Sequence, residues 1–299
     1  MTDPRTIFLG YVRSNGTVGV RDYLLALPSV VCATRAAAWA VDDLPGAVNV
    51  EHPVGCAQIG ADRDQTLRVL VGVGSHPNVR QTAVLGLGCE GVPAQEVANR
   101  IRARNCRVEV TTIQAAGGTR EAAQRARTVL LESAPTADRQ PVSIKRLVLG
   151  IGPINQLGEP GRAVVEAYLA RGGRVIEIAG PGTPLDYAAA PDVASQRMVT
   201  EGTVGANEAI TGLVASGAQM ILAQCDADNI GGHPVAPVMR IGYEARLQGA
   251  LADDMDGMIE DRRPDEWVDW ILEVASGETT AAEKSGASTF AIRRIGPTL

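Results

Sequence analysis

The chain contains only three histidines, and two of them stand where imidazole chemistry would be useful. His52 and His76 are each followed by proline near a predicted strand-end loop, where an imidazole can act as a general base or a metal ligand. A histidine before proline also caps or fills a turn, so a structural role stays open for both. His52 is the stronger candidate, as a base or a ligand, and His76 is the weaker.

Cysteine and glutamate side chains extend this candidate site. Cys56 follows His52 in the same segment, and Cys89 and Glu90 stand between a predicted strand and the next helix. A helix N-terminus lowers the pKa of a thiol and favours negative charge, so both side chains could face a metal or a substrate. Most free cysteines are small buried residues, which is the alternative for Cys89. Cys32 is expected in or near the core.

The segment around Cys89 also matches a nucleotide-binding pattern. Gly86, Gly88 and Gly91 fit GxGxxG. Glu109 follows about twenty residues later, as a dinucleotide site requires. Against this interpretation, Glu90 would place negative charge in the turn that binds pyrophosphate, and Glu109 falls at the start of a predicted strand. An NAD-dependent oxidoreductase therefore remains an alternative that depends on three glycines.

Two carboxylates and the third histidine occupy one glycine-rich segment of the C-terminal half. Asp226, Asp228 and His233 follow an apolar predicted strand. Such a group could bind a hard cation or an acidic substrate. Aspartate, asparagine and glycine are also ordinary loop residues, so a plain loop is equally open.

Nearly all basic residues are arginines, which suit the bidentate binding of carboxylates. Lys145 and Lys284 are the only lysines, and neither lies in a setting that favours a Schiff base. Arg13 and Arg21 lie in a glycine-rich segment before the first predicted strand and could present guanidinium groups to an acidic substrate. The alternative is a solvated hairpin.

Short apolar runs alternate with helix-like stretches along the chain, and this predicts an α/β fold with two doubly wound, Rossmann-like parallel-sheet domains. The proline-containing stretch 133–143 is the predicted boundary between domains at residues 1–135 and 143–299. Strands are predicted at residues 23–31, 81–88, 107–113, 145–151, 174–178 and 219–224, and helices at residues 62–71, 93–104, 119–131, 161–170 and 265–275. Ligands bind beyond the carboxyl ends of parallel strands, where most of the candidate residues fall.

Composition narrows the function classes. The 299 residues are 45% apolar and 3% aromatic, with a net charge of −6 and no Lys/Arg run, which indicates a soluble globular protein without a nucleic-acid partner. The apolar runs are too short to span a bilayer and no secretory signal is seen, so we expect a cytoplasmic protein that does not bind membranes. Five cysteines without CxxC spacing argue against disulfides and a tetrathiolate zinc site.

Several of these segments together resemble the altronate/galactarate dehydratase family, which also includes the large subunit of sulfolactate sulfo-lyase. The matching segments are residues 10–21, 52–58, 76–78 and 86–90 and, near the end, residues 253–256 and 275–279. The likeness extends over residues 7–92 and again over about 204–291. The middle departs from the family: residues 150–156 replace a glycine- and serine-rich stretch, and a long insert is missing.

The resemblance implies a lyase that removes water from a hydroxy or sugar acid by metal-assisted proton abstraction beside a carboxylate. The implied cofactor is a divalent metal, iron or manganese, and the substrate is small and acidic. The implied roles are Arg13 and Arg21 at the substrate carboxylate, His52 as base or ligand, Cys56, Cys89 and Glu90 around the metal, and Asp226, Asp228 and His233 facing them from the other domain.

The resemblance also bears on partners. The chain begins at the family's second domain, without the small β-rich domain of the single-chain enzymes, so we expect a small β-rich partner subunit and a homo-oligomer. Three other functions stay open: a carbon–sulfur lyase acting on a sulfonated hydroxy acid, the NAD-dependent oxidoreductase, and a non-catalytic relative that binds acids.

Overall fold

A computed structural model describes residues 4–133, 138–152, 154–181, 195–200, 205–225, 231–244, 249 and 251–295. The strands are β1 (Ile7–Val12), β2 (Val18–Gly19), β3 (Tyr23–Pro28), β4 (Ala47–Asn49), β5 (Val79–Gly86), β6 (Val108–Thr112), β7 (Gln140–Ser143), β8 (Val148–Ile151), β9 (Arg174–Pro181), β10 (Ser195–Thr200), β11 (Met220–Cys225), β12 (Val238–Gly242) and β13 (Gly257–Met258). The helices are α1 (Thr34–Val41), α2 (Gly60–Gly74), α3 (Ala94–Arg102), α4 (Ile113–Ala116), α5 (Thr119–Leu131), α6 (Ile154–Ala170), α7 (Ala206–Ala215), α8 (Pro264–Ala275) and α9 (Ala281–Lys284).

Two parallel sheets carry the fold. The N-terminal sheet has the order β4-β3-β5-β6, and the C-terminal sheet has the order β10-β9-β8-β11-β12-β13. All neighbouring strands within each of these sheets are parallel. The winding reverses between β3 and β5 and again between β8 and β11, and such switch points are where open α/β sheets bind ligands. The predicted α/β class with two parallel sheets is confirmed.

A third, antiparallel sheet has the order β2-β1-β7. Strands β1 and β2 form a hairpin in which the Arg13 N–H donates to Thr17 O over 2.8 Å. Strand β7 comes from the stretch predicted to separate two domains, and it pairs with β1. The predicted hairpin is therefore present, and its strand β1 is covered on both edges.

The two parallel sheets meet through tightly packed small residues. Helix α2 packs against α7, and a Cβ at Gly72 would lie 2.1 Å from Ala215 O, so only glycine permits this approach. The core cluster at this junction contains residues of both halves, including Leu70, Val73 and Leu213. The packing buries apolar surface from both sheets in one continuous core.

A buried asparagine adds hydrogen bonds between the halves. Asn78 is fully buried, and its Oδ1 accepts the Val20 N–H over 2.8 Å. Its Nδ2 donates to Gln219 O over 2.8 Å and to Val235 O over 2.9 Å. One side chain, which we call the Asn78 interlock, thus ties the segment before β3 to the residue before β11 and to the segment before β12.

No helix in the described part of the chain is both long and apolar enough to cross a membrane.

Candidate active site

Three loops at the carboxyl edge of the N-terminal sheet are bonded to one another. We call them loop A (residues 29–33, after β3), loop B (residues 50–59, after β4) and loop C (residues 87–92, after β5). The Val31 N–H donates to Val54 O over 2.9 Å and joins loop A to loop B. The Gly91 N–H donates to Gly55 O over 3.0 Å and joins loop B to loop C. The predicted site segments therefore form one connected edge at the β3/β5 switch point.

The Glu90 side chain hydrogen-bonds to groups of loop C, loop A and the start of α3. Its carboxylate accepts the N–H groups of Leu87 and Gly88, at 3.1 and 2.5 Å, and that of Ala94 at the start of α3, at 3.2 Å. The Ser29 hydroxyl donates to the same carboxylate over 3.2 Å. These are the amides on which a dinucleotide site would place pyrophosphate. A negative side chain of the protein already occupies them, which argues against the nucleotide alternative.

The charge of Glu90 is stabilised by these donors. Burial raises the pKa of its carboxyl group, but the backbone N–H groups of Gly88 and Ala94 and the Ser29 hydroxyl lower it more, so the pKa lies below its ordinary value. A lowered carboxyl pKa means stability that is present above about pH 4.3 and is lost as the pH falls through the folded-state pKa.

Glu90→Gln is expected to lower the free energy of unfolding by about 1 kcal/mol at pH 7, because an amide cannot accept from all of these donors. Urea denaturation of both proteins from pH 7 down to about pH 3, below the ordinary carboxyl pKa, measures this. The difference should shrink toward the acid end, where the carboxylate of the unmodified protein takes up a proton. A difference that stays constant over this range would contradict the electrostatic role.

Loops A, B and C each carry one exposed thiol, at Cys32, Cys56 and Cys89 respectively. Cys106 is half-buried and Cys225 is buried. The expectation that Cys32 lies in or near the core is wrong, because the residue sits in the 3-10 turn Val31–Ala33, where the chain leaves the sheet. Cys56 and Cys89 lie at the predicted edge.

His52 and His233, from opposite halves of the chain, pack against one aromatic ring. Their ring centroids lie 6.1 and 5.7 Å from that of Phe290. They are 4% and 6% exposed, so the cluster is almost closed to solvent. Both histidines are candidates from the sequence, whereas Phe290 has no signal there beyond lying within the stretch of about 204–291 that resembles the family.

The hydrogen bonds of these two rings fix their protons in different ways. His52 Nε2 lies 2.8 Å from Pro28 O, a carbonyl that only accepts, so Nε2 carries the proton. His233 Nδ1 accepts the Val235 N–H over 3.2 Å, so the proton of a neutral His233 ring is on Nε2. His52 Nδ1 and His233 Nε2 are buried without a hydrogen-bond partner. The cluster thus offers one lone pair and one N–H donor.

Both rings are held neutral. Burial lowers the pKa of His52, and the backbone groups of Pro28 and Val54 oppose this only in part. Burial and the nearby ring of His76 lower the pKa of His233 to about 3. A neutral imidazole at pH 7 can accept a hydrogen bond at one ring nitrogen and donate one from the other, without first losing a proton.

His76 has a structural position. Its Nε2 donates to Ala218 O over 2.9 Å, and its Nδ1 accepts the Asn78 N–H over 3.1 Å. Burial lowers its pKa to about 4. Both nitrogens are therefore used in holding the Asn78 interlock.

Every side-chain nitrogen of Arg13 and Arg21 donates to a protein group. Arg13 pairs with Asp22 and donates to Pro77 O and to Arg21 O, each over 2.8 Å. Arg21 makes a bidentate ion pair with Glu283, at 2.7 and 2.8 Å. These contacts fix the hairpin segment to the rest of the chain, and they occupy the groups expected to bind a substrate carboxylate.

Other predicted positions are less informative. Asp226 and Asp228 lie outside the described residues. The acidic segment 253–256 surrounds Arg240, a fully buried arginine whose N–H groups donate to Asp254 O over 3.0 Å and, through its backbone, to Asp256 Oδ2 over 2.8 Å. No local pattern in the sequence indicates that this arginine is buried.

This geometry differs from that of the expected single-metal site. His52 directs Nε2 at Pro28 O, and the Glu90 carboxylate is saturated by loop amides. In the described part of the chain no three His, Cys, Asp or Glu side chains converge on a point where one ion could be held. His52, Cys56, Cys89 and Glu90 as arranged do not fit a single iron or manganese ion, whose presence stays a prediction.

Two family models match the chain. Residues 10–138 match the second domain of D-galactarate dehydratase/altronate hydrolase, and residues 184–298 match the C-terminal domain of D-galactarate/altronate dehydratase.

Curated relatives match over shorter stretches. The subunit beta of (2R)-sulfolactate sulfo-lyase from Chromohalobacter salexigens is 34% identical over 47% of this chain and 36% of its own length. Altronate dehydratase from Bacillus subtilis is 29% identical over 48% of this chain and 31% of its own length. Altronate dehydratase from Escherichia coli is 36% identical over 27% of this chain and 18% of its own length. The matches thus cover about a third or less of each relative, whereas the two family models cover most of this chain, and the chain belongs to the D-galactarate/altronate dehydratase family.

Proposed function

We propose that this chain catalyses the elimination of water from a sugar acid, as a hydro-lyase. Membership of the family and the altronate dehydratases among its relatives support this activity. The structural observation that carries the proposal is the pair of buried histidines beside Phe290, each with one ring nitrogen that lacks a partner.

Elimination beside a carboxylate needs a base for a weakly acidic proton and a donor for the charge that develops on the carboxylate oxygens. We assign the base to His52, whose Nδ1 lone pair is unpaired and whose lowered pKa keeps it unprotonated at neutral pH. We assign the donor to His233, whose Nε2–H is buried and unpaired. A neutral imidazole can stabilise an enediolate by hydrogen bonding in this way.

The departing hydroxide must take up a proton to leave as water, and no residue is assigned as the acid that supplies it. We assign Arg13 and Arg21 to fixing the hairpin segment and not to substrate binding, because they form ion pairs with Asp22 and Glu283. Asp226 and Asp228 precede His233 in the chain and stay candidates for substrate contact. No step is passed through a metal ion.

A second candidate is a carbon–sulfur lyase. The relative that favours it is the (2R)-sulfolactate sulfo-lyase subunit, at 34% identity. Proton removal would be the same, and the leaving group would be sulfite instead of water. Because that relative is named as a subunit beta, we also propose that a small partner subunit completes the enzyme, and that the assembly is a homo-oligomer of such units.

The test is an assay of the purified chain, alone and with a candidate partner subunit, on altronate, galactarate and (2R)-sulfolactate. Keto-acid formation without sulfite supports the dehydratase, and release of sulfite supports the second candidate. No turnover of any of these acids in either form would favour a non-catalytic relative that binds acids.

His233→Gln is expected to lower kcat about 100-fold, because a general acid–base or donor group contributes roughly this factor. His52→Gln should lower kcat as well. It should also abolish exchange of the substrate's acidic proton with D2O, which NMR measures, because it removes the proposed base. Arg100→Gln, on the surface of α3, is the matched control and should leave both unchanged. Full activity of both histidine variants, with unchanged thermal unfolding, would overturn these roles.

A further inference from the structure

We propose that Cys32, Cys56 and Cys89 together bind an iron–sulfur cluster at the carboxyl edge of the N-terminal sheet. Free cysteines are among the most buried residues in proteins. Here these three thiols are exposed, and all three lie on loops A, B and C. Exposed thiols gathered at one edge are unusual for structural cysteines and typical of ligands.

The topology places the three thiols side by side. Strand β3 lies between β4 and β5, so loop A, with Cys32, emerges between loop B, with Cys56, and loop C, with Cys89. Neighbouring strands are about 4.8 Å apart, and the outer two are therefore about 10 Å apart where they leave the sheet. The Val31–Val54 and Gly91–Gly55 hydrogen bonds then hold the loops in contact beyond the sheet.

The loop backbone is shaped around two of the thiols. Cys56 stands between Gly55, with φ of 99°, and Ala57, with φ of 55°, and Gly88 before Cys89 has φ of 121°. Positive φ at a residue with a side chain, such as Ala57, is a strained conformation that proteins retain mainly at functional positions. Glu90 and Ser29 fix loop C to loop A over 3.2 Å, so Cys89 and Cys32 cannot separate freely.

The preference of thiolates for soft metals limits which metal group can bind here. Thiolates bind zinc, copper(I) and iron–sulfur clusters in preference to hard cations. A single ion lies about 2.3 Å from each sulfur and would need all three at one point, a convergence that the described residues do not provide. A cluster of several irons bridged by sulfides accepts thiolates that are further apart. Each thiol loses its proton on binding.

Three thiolates are one fewer than a cluster of four irons takes when fully ligated by cysteine. One iron would then have a coordination position that no protein group fills, facing the edge where the switch point between β3 and β5 leads one to expect a ligand. Such a position would suit an oxygen of a small hydroxy acid. Binding of the cluster itself does not depend on the proposed lyase activity.

The experiment is anaerobic reconstitution of the full chain with ferric iron, sulfide and excess dithiothreitol, which reduces part of the iron, followed by desalting. Iron, acid-labile sulfide, visible absorption and electron paramagnetic resonance after reduction are measured without substrate. We expect about four iron and four sulfide per chain. Cys32→Ser, Cys56→Ser and Cys89→Ser should each lose the cluster, while Cys106→Ser, a half-buried cysteine between α3 and β6, should retain it.

Two results would overturn the proposal. One is iron bound without sulfide, or neither bound. The other is a cluster that survives unchanged in Cys32→Ser, Cys56→Ser or Cys89→Ser. Circular dichroism of the metal-free proteins shows whether each variant is folded. Because the readout is spectroscopic, a failure here leaves the lyase proposal standing, and a lack of turnover leaves this one standing.

Discussion

Replacing Arg21 by methionine is expected to lower the free energy of unfolding by about 3 kcal/mol, because the change leaves the half-buried carboxylate of Glu283 without its cation. Arg21 is buried, and it donates to Val274 O over 2.9 Å and to Glu278 O over 2.8 Å as well as to Glu283. The variant would lose the anchor between the N-terminal hairpin and the last helices. Urea denaturation at pH 7 measures the loss.

The pH dependence separates the ion pair from the carbonyl contacts. Burial raises the pKa of Glu283, but the Arg21 guanidinium and the Thr280 N–H lower it more, so the net pKa is below its ordinary value. The contribution of this carboxylate is therefore present above about pH 4.3 and is lost as the pH falls through the folded-state pKa. Glu283→Gln should destabilise at pH 7, and its difference from the unmodified protein should shrink only below about pH 4.3.

The matched control is Arg263→Met. Arg263 forms an exposed ion pair with Glu266, and pairs of this kind contribute little. We expect no measurable change in unfolding. If Arg21→Met were as stable as this control but bound the substrate more weakly, Arg21 would belong at the substrate carboxylate, as the family resemblance implied.

The parts of the fold that could be predicted from the sequence are those with a local signal. Strand β11 and helix α5 are unbroken apolar or amphipathic runs, and their predicted ranges nearly coincide with the observed ones. Strand β12 was missed because Arg240 interrupts its apolar run. The guanidinium group of Arg240 meets its partner Asp254 only through the fold, fourteen positions along the chain. Helix α1 was missed because it is only eight residues long and half of them are alanine, so few large apolar side chains mark its period.

The candidate site likewise has features that a local sequence signal predicts and features that depend on distant contacts. Residue types and strand ends were enough to place Cys56, Cys89 and Glu90 at one edge. Whether Arg21 meets a substrate or Glu283 could not be predicted, because the two residues lie 262 positions apart and nothing local links them. The pairing of His52 with His233 through Phe290 is equally non-local. Sequence patterns identify groups that can do chemistry, and only tertiary contacts show which of them are already occupied.

Asn78→Ala is expected to cost about 4 kcal/mol of unfolding free energy. The change leaves the Val20 N–H and the carbonyls of Gln219 and Val235 buried without partners, and each such group costs about 1–3 kcal/mol. Because these bonds join the two halves, hydrogen exchange should rise at the β11–β12 connection. Asn99→Ala, an exposed asparagine on α3, is the control and should change stability by less than about 0.5 kcal/mol.

Asn78→Asp tests whether donation by the amide, and not only its volume, holds the halves together. The new carboxyl group has the same shape, but when ionised it faces the carbonyls of Gln219 and Val235 with no proton to donate. Burial raises the pKa of such a group, so the folded state takes up a proton more readily than the unfolded chain. Relative to Asn78→Ala, this variant should therefore gain stability as the pH falls from 7 to 5. Equal stability of the two variants at both pH values would mean that water replaces the amide, and that apolar packing of α2 against α7 alone joins the sheets.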